Sequence, residues 1–193
     1  MKYLLLATLL LSPLTMADDI EEPRWELLTT LDSVEIRQYE PSIQAVTQLQ
    51  SSGETSEGFR RLAGYIFGGN ERSQSIAMTA PVEETLEQNS PMMAFTLPAE
   101  YALEDLPTPD DGTVTLRPVE GRTVAAIRFS GWATSGAITR KQKELLAILD
   151  QHGIVTVGVP ALNQYNPPWT LPFLRRNEVA VEIEWGEGLA ALH

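Results

Sequence analysis

The chain repeats itself. Val34-Glu35-Ile36-Arg37, followed by Gln38-Tyr39-Glu40, returns 80 residues later as Val114-Thr115-Leu116-Arg117, followed by Pro118-Val119-Glu120; continuing in register, Ala45 falls on Ala125. A chain built from two copies of one unit is held to a small set of architectures, because each copy presents the same apolar faces and each must bury them. The order of the elements extends the match. Each segment leads into a second alternating stretch, Ile43 to Leu49 and Thr123 to Phe129, and each of these leads into a helix.

The first helix is expected over Thr55 to Phe67, with Phe59, Leu62, Ala63, Ile66 and Phe67 as one apolar stripe, Thr55 or Ser56 capping its start and Gly68-Gly69 ending it. The second is expected over Thr134 to His152, with Ile138, Leu145, Ile148 and Leu149 inward and Gly153 after it. Two strands follow each helix: Ile76–Val82 and Met93–Leu97 in the first half, Val155–Val159 and Glu178–Trp185 in the second. Ile76, Met78, Ala80 and Val82 alternate, although Pro81 places that strand at an edge or a bulge. A connector rich in proline and acid, Pro98 to Gly112, joins the halves, and an added strand near Trp25–Thr30 precedes them. The expected fold is α+β: duplicated ββαββ halves forming a distorted antiparallel β-barrel with two packed helices.

Residues 1–17 are set apart. MKYLLLATLLLSPLTMA carries Lys2, an apolar run from Tyr3 to Leu11, and small residues at Thr15 and Ala17, the pattern of a signal peptide cleaved before Asp18. The run is short of the roughly 20 apolar residues a membrane span requires. The expected location is therefore periplasmic or secreted, with residues 18–193 forming one domain. The chain has no cysteine, which excludes disulfides and thiol chemistry. Its net charge of −12, one unit more negative once Lys2 is removed, speaks against nucleic acid and anionic lipid as partners.

Catalytic signatures are scarce. The sequence holds no Gly-x-Ser-x-Gly elbow and no phosphate-cradling glycine loop. Of its two histidines, His152 sits at an expected helix end, where a cation suits the dipole, and His193 is the last residue, which leaves no basis for a dedicated transition-metal site. What remains is an apolar ligand site. Met78, Met92 and Met93 lie in the strands after the first helix, either as core filling or as an adaptable wall. Tyr165-Asn166-Pro167-Pro168-Trp169, then Leu171-Pro172-Phe173-Leu174, then Arg175-Arg176 form a long aromatic loop ending in two cations. With Arg60 and Arg61 on the first helix, these residues suit a flat apolar ring system bearing acidic groups, unless the arginines pair with nearby carboxylates.

The chain resembles the SOUL haem-binding protein family. The resemblance lies in Ile36-Arg37-Gln38-Tyr39-Glu40-Pro41, Gly68-Gly69-Asn70, Ile76-Ala77-Met78-Thr79-Ala80-Pro81-Val82, Gly131-Trp132, Tyr165-Asn166-Pro167-Pro168 and Arg175-Arg176-Asn177-Glu178-Val179, in order over residues 24–185. It implies the duplicated barrel with two helices and the non-enzymatic binding of haem or another tetrapyrrole. It also implies a cleft between the first helix and the aromatic loop, with Arg60, Arg61, Gly64, Phe67, Met78, Tyr165, Trp169, Phe173 and Arg175 as the binding set. Some members of the family carry a proposed axial histidine where this chain has Gln38, and an amide is a poor iron ligand. A different apolar ligand, or a hydrolase acting on one, are the other readings.

Overall fold

A computed structural model describes residues 20–51 and 55–186; the proposed signal peptide lies outside the described residues. The strands are β1 (Trp25–Leu31), β2 (Val34–Tyr39), β3 (Ser42–Gln48), β4 (Val82–Thr85), β5 (Met92–Thr96), β6 (Val114–Val119), β7 (Arg122–Phe129), β8 (Thr156–Gln164) and β9 (Asn177–Ile183); the helices are α1 (Thr55–Ile66) and α2 (Ser135–Gln151). All nine strands join one antiparallel sheet in the order β1-β2-β7-β9-β8-β4-β5-β3-β6, curled into a half-barrel.

The repeat becomes a two-fold. Exchanging each strand from β2 to β6 with its counterpart in the other half reverses the order of those eight strands, so the pseudo-axis passes between β4 and β8. The register obeys the same offset. Val34 pairs with Ile127 and Val114 with Thr47; Ile36 pairs with Ala125 and Leu116 with Ala45. Each pair is the image of the other under a shift of 80. On the axis, Val82↔Gln164 maps onto Glu84↔Leu162. The halves also exchange their first strands: β2 lies against β7 of the second half, and β6 against β3 of the first.

Both helices cover the convex face. Leu145 and Leu149 of α2 pack on Val34, Ile36, Ala125, Ile127, Val179 and Val181, while Leu62, Tyr65 and Ile66 of α1 pack on Ala45, Met93, Phe95 and Val114. Alternation along the strands sends the neighbouring residues to the concave face. The Thr134 hydroxyl accepts a hydrogen bond from the Ala137 N–H at 3.3 Å and caps α2, and Gly153, at φ +64°, lets the chain leave the helix.

Two expectations need correction. Residues 76–81 are not strand: only Val82–Thr85 forms β4. The preceding chain is pinned by other means. The Asn70 amide donates to the Tyr65 and Gln74 carbonyls at 3.0 and 2.8 Å, its Oδ1 accepts from the Arg72 and Gln74 N–H groups, and the Thr79 hydroxyl donates to the Thr96 carbonyl. These bonds bury Ile76, Thr79 and Ala80 without a ladder, so the alternating apolar residues of the sequence do not become an alternating strand. In α1 the buried face is Gly58, Leu62, Tyr65 and Ile66, so Phe59 and Phe67 from the expected stripe are exposed. Thr55 and Ser56, the expected caps, are themselves helical, and residues 52–54 lie outside the described residues.

Candidate functional site

The concave face is polar and partly closed. Arg37, 2% exposed, comes from β2, and Glu178, with no exposed surface, comes from β9. Arg37 donates to both Glu178 oxygens at 2.7 and 3.1 Å; Tyr165 donates its hydroxyl to the same carboxylate at 2.9 Å, and Arg176 donates from Nε at 3.0 Å. The Arg37 guanidinium lies over the Trp25 ring and that of Arg176 over the Tyr165 ring, 4.4 and 3.6 Å from the ring centroids. Burial alone would push the Glu178 carboxyl up; the hydrogen bonds and charges of Arg37 and Arg176, with the Tyr165 hydroxyl, outweigh it and hold the group below its ordinary value. Burial, together with the Glu178 charge, pushes the Tyr165 phenol well up. Every side chain in this cluster except Trp25 belongs to one of the sequence motifs, and together they tie β2, β9 and the loop after β8 into one unit.

Beside the cluster a cleft of about 230 Å³ opens on the concave face, bordered by Gln44, Glu83, Arg117, Arg122, Asn163 and Val124 among others. Arg117 donates to the Gln44 side-chain oxygen at 3.2 and 2.8 Å. Arg122 stands 3.7 Å from both Glu83 and Glu182. Asn163 is buried, and its Oδ1 has no hydrogen-bond partner among the described residues.

The binding set expected from the sequence falls in three places. Arg60, Gly64 and Phe67, spaced to share one side of α1, are exposed on the outer face of that helix; Phe67 is 69% exposed, and a Cβ placed on Gly64 would meet nothing within 4 Å. The chain after α1 runs back along its end, with Phe67 and Ser75 bridged and the Ile76 N–H donating to the Ile66 carbonyl at 2.7 Å. Met78 is half-buried against the core under α1. Arg61 is engaged by Glu57 and by the Gln48 carbonyl.

The aromatic loop lies elsewhere. It is fastened ahead of α2, where the Gly131 N–H donates to the Pro172 carbonyl at 2.8 Å and the Asn177 amide donates to the Gly131 carbonyl at 3.1 Å. Trp169 and Phe173 are 83% and 71% exposed. Arg175 lies over the Trp132 ring, 4.0 Å from its centroid, and donates to the Thr170 and Pro168 carbonyls, so this cation stiffens its own loop. Tyr165 is committed to Glu178. The clefts lined by strand residues include none from α1 or from residues 165–176.

The positions that the sequence gives for iron are also accounted for. The Gln38 amide donates to the Tyr39 carbonyl at 3.3 Å and accepts the Thr123 hydroxyl at 2.8 Å. His152 is at the C-cap of α2, with Asp32 3.8 Å away. Among the described residues no cluster of three or more His, Cys, Asp or Glu side chains could hold a metal ion.

A duplicated, strand-exchanged half-barrel with two helices on its convex face defines a class of α+β proteins. The C-terminal domain of EcmrR shares it, with a TM-score of 0.62 at 8% identity over 78% of this chain and 96% of that one, a likeness of fold alone. The chain belongs to the SOUL heme-binding protein family, which it matches over residues 20–182. It is 31% identical to Heme-binding protein 2 of Mus musculus over 84% of this chain and 90% of that protein. To Heme-binding protein 2 of Homo sapiens it is 30% identical, over 87% and 92%.

Proposed function

We propose that the protein binds haem or a related tetrapyrrole without acting on it chemically, for buffering or carriage in the cell envelope after residues 1–17 are removed. Family membership supports the ligand class, and the outer face of α1 carries the structural argument. There a large exposed ring, Phe67, lies beside open space at Gly64 and the exposed Arg60. A porphyrin plane takes its binding free energy from apolar area, and its propionates suit a guanidinium at the rim.

These residues fit the apolar face and the carboxylates of a tetrapyrrole. They do not fit a histidine-ligated iron, because Gln38 is a neutral amide with both ends hydrogen-bonded and His152 is tied to the end of α2. The chain's own contribution is to hold the ring and shield one face of it. Haem titration of the purified protein, followed by absorbance, tests this reading: a saturable Soret shift supports it, and a titration indistinguishable from haem in buffer overturns it. Mass spectrometry of protein from its host tests the location, where a start at Asp18 is expected and a dominant intact cytosolic Met1 species is not.

A further inference from the structure

The two-fold that builds the concave face also shows where its chemistry has diverged. Arg37 and Arg117 are the same position in the two halves, and so are Glu83 and Asn163, each 80 residues apart. In the second half Glu178 is paired with Arg128 across the ladder; in the first half Gln48, the counterpart of Arg128, is paired with Met92. Met92 therefore stands where Glu178 stands. One arginine of the pair has its buried carboxylate, while the other keeps its cation beside a neutral partner, Gln44, and lines the cleft.

The other charges of the cleft are balanced differently. Glu83 and Glu182 share Arg122, and Glu40 is exposed at the rim. Arg117 is thus the cation in the cleft without an ionic partner among the described residues. Asn163 adds a second unmet demand: the residue borders the same cleft, and its side-chain oxygen, closed off from water, has no hydrogen-bond partner among the described residues. An unpaired buried polar atom costs free energy that a ligand group would recover. Between Arg117 on β6 and Asn163 on β8 lie three strands, β3, β5 and β4, so the two demands stand at opposite ends. Val119, Val124 and Ala180 supply apolar wall. The volume, about 230 Å³, is below the roughly 300–1,000 Å³ of sites that enclose drug-sized ligands, and so too small for a tetrapyrrole.

We propose that the concave cleft is a second binding site, taking a small amphiphilic carboxylate with a hydroxyl at its far end: Arg117 holds the carboxylate, Asn163 the hydroxyl, and the apolar wall the body between them. Gln44 orients the guanidinium for this role. The site shares no lining residue with the outer face of α1, so it stands or falls independently of haem binding.

The probe is 3-(4-hydroxyphenyl)propionate, titrated into isotope-labelled protein and followed by amide chemical shifts. Expected are saturable shifts at Gln44, Arg117 and Asn163, with weaker binding of 3-phenylpropionate, which lacks the hydroxyl. Arg117→Gln should weaken the probe about tenfold or more, as loss of a hydrogen bond to a charged group does. Asn163→Ala should abolish the preference for the hydroxylated probe while leaving 3-phenylpropionate unchanged, a result that general misfolding would not produce. Haem titrations of both variants should match the parent. Tyramine binding as tightly as the hydroxy acid would overturn the proposal, as would the absence of saturable shifts at millimolar probe.

Discussion

Arg37 on β2 and Glu178 on β9 are joined by two hydrogen bonds, 2.7 and 3.1 Å, across 141 residues of sequence. The pair locks a strand contributed by the first half into the sheet of the second. Both side chains are buried, so removing Glu178 leaves Arg37 with only the half-exposed Glu35 as ionic partner and takes the buried acceptor from Arg176 and the Tyr165 hydroxyl. Glu178→Ala is expected to cost about 3–5 kcal/mol of stability, whereas replacing both residues with apolar ones of similar volume should recover most of the loss. Urea unfolding of the single and double variants measures this; a single-variant loss as small as that of a surface ion pair would show that the pair does not hold the halves together.

The same carboxyl predicts an acid response. Burial opposes its charge, but Arg37, Arg176 and Tyr165 lower its folded value below the ordinary 4.5. A depressed folded value gives stability that is fully present above the unfolded value and is lost as pH falls through the folded one. The urea midpoint should therefore drop as pH is taken below about 4.5. Glu178→Gln should start lower at neutral pH and fall less steeply on acidification. Parallel curves for the two proteins would place the acid sensitivity elsewhere.

The 80-residue offset made the duplication legible, and the ladder pairs Val34↔Ile127 and Val114↔Thr47 repeat it residue by residue. The strand exchange was not legible, because a repeat gives the same offset whether β2 pairs within its own half or with the other. The stretch from Ile76 to Val82 reads as strand because its apolar residues alternate along the sequence, but hydrogen bonds from Asn70 and Thr79, not a ladder, hold it. Phe59 and Phe67 matched a helical stripe, yet spacing cannot show that the core beneath α1 is already filled by Tyr65. Among the candidate cations, Arg61 with Glu57 is a readable i,i+4 pair, whereas Arg175 is satisfied by carbonyls of its own loop, which residue type does not reveal. Arg117 and Asn163 align with Arg37 and Glu83 under the offset, but neither stands in a motif that marks it as a binding residue.

Two glycines near the end of α1 should respond in opposite ways to alanine. A Cβ on Gly69 would lie 2.7 Å from the Gly64 carbonyl oxygen and 3.1 Å from its carbon, both backbone atoms that move only if the helix end moves. Gly69→Ala is expected to destabilise by about 1–3 kcal/mol, the range for forced overpacking. Gly64 is in the helix with open space before it, so Gly64→Ala should stabilise by about 0.5–1 kcal/mol through helix propensity. Thermal unfolding monitored by circular dichroism separates the two; equal shifts of the same sign would contradict this account of the Gly-Gly-Asn turn.

Haem binding should be won or lost on α1 rather than on the aromatic loop. Phe67 is exposed beside the open surface of Gly64, and covering it with a porphyrin would remove apolar area from water; Phe67→Ala is accordingly expected to cost about 1.5–3 kcal/mol of binding. Gly64→Leu places a branched side chain in the space the ring would occupy and should weaken haem at least as much while leaving the helix folded. Arg60→Ala removes only an exposed charge, a loss of about 0–1 kcal/mol that shrinks in high salt. Trp169 belongs to a loop fastened ahead of α2, so Trp169→Ala should leave the affinity close to that of the parent, and His152→Ala should leave the spectrum unchanged because that residue is the C-cap of α2 and its imidazole stands beside Asp32. Absorbance titrations of the five variants give the ranking directly. A Trp169 variant that loses haem while the Phe67 and Gly64 variants retain it would move the site to the loop, and a lost Soret shift in the His152 variant would identify the histidine as the iron ligand.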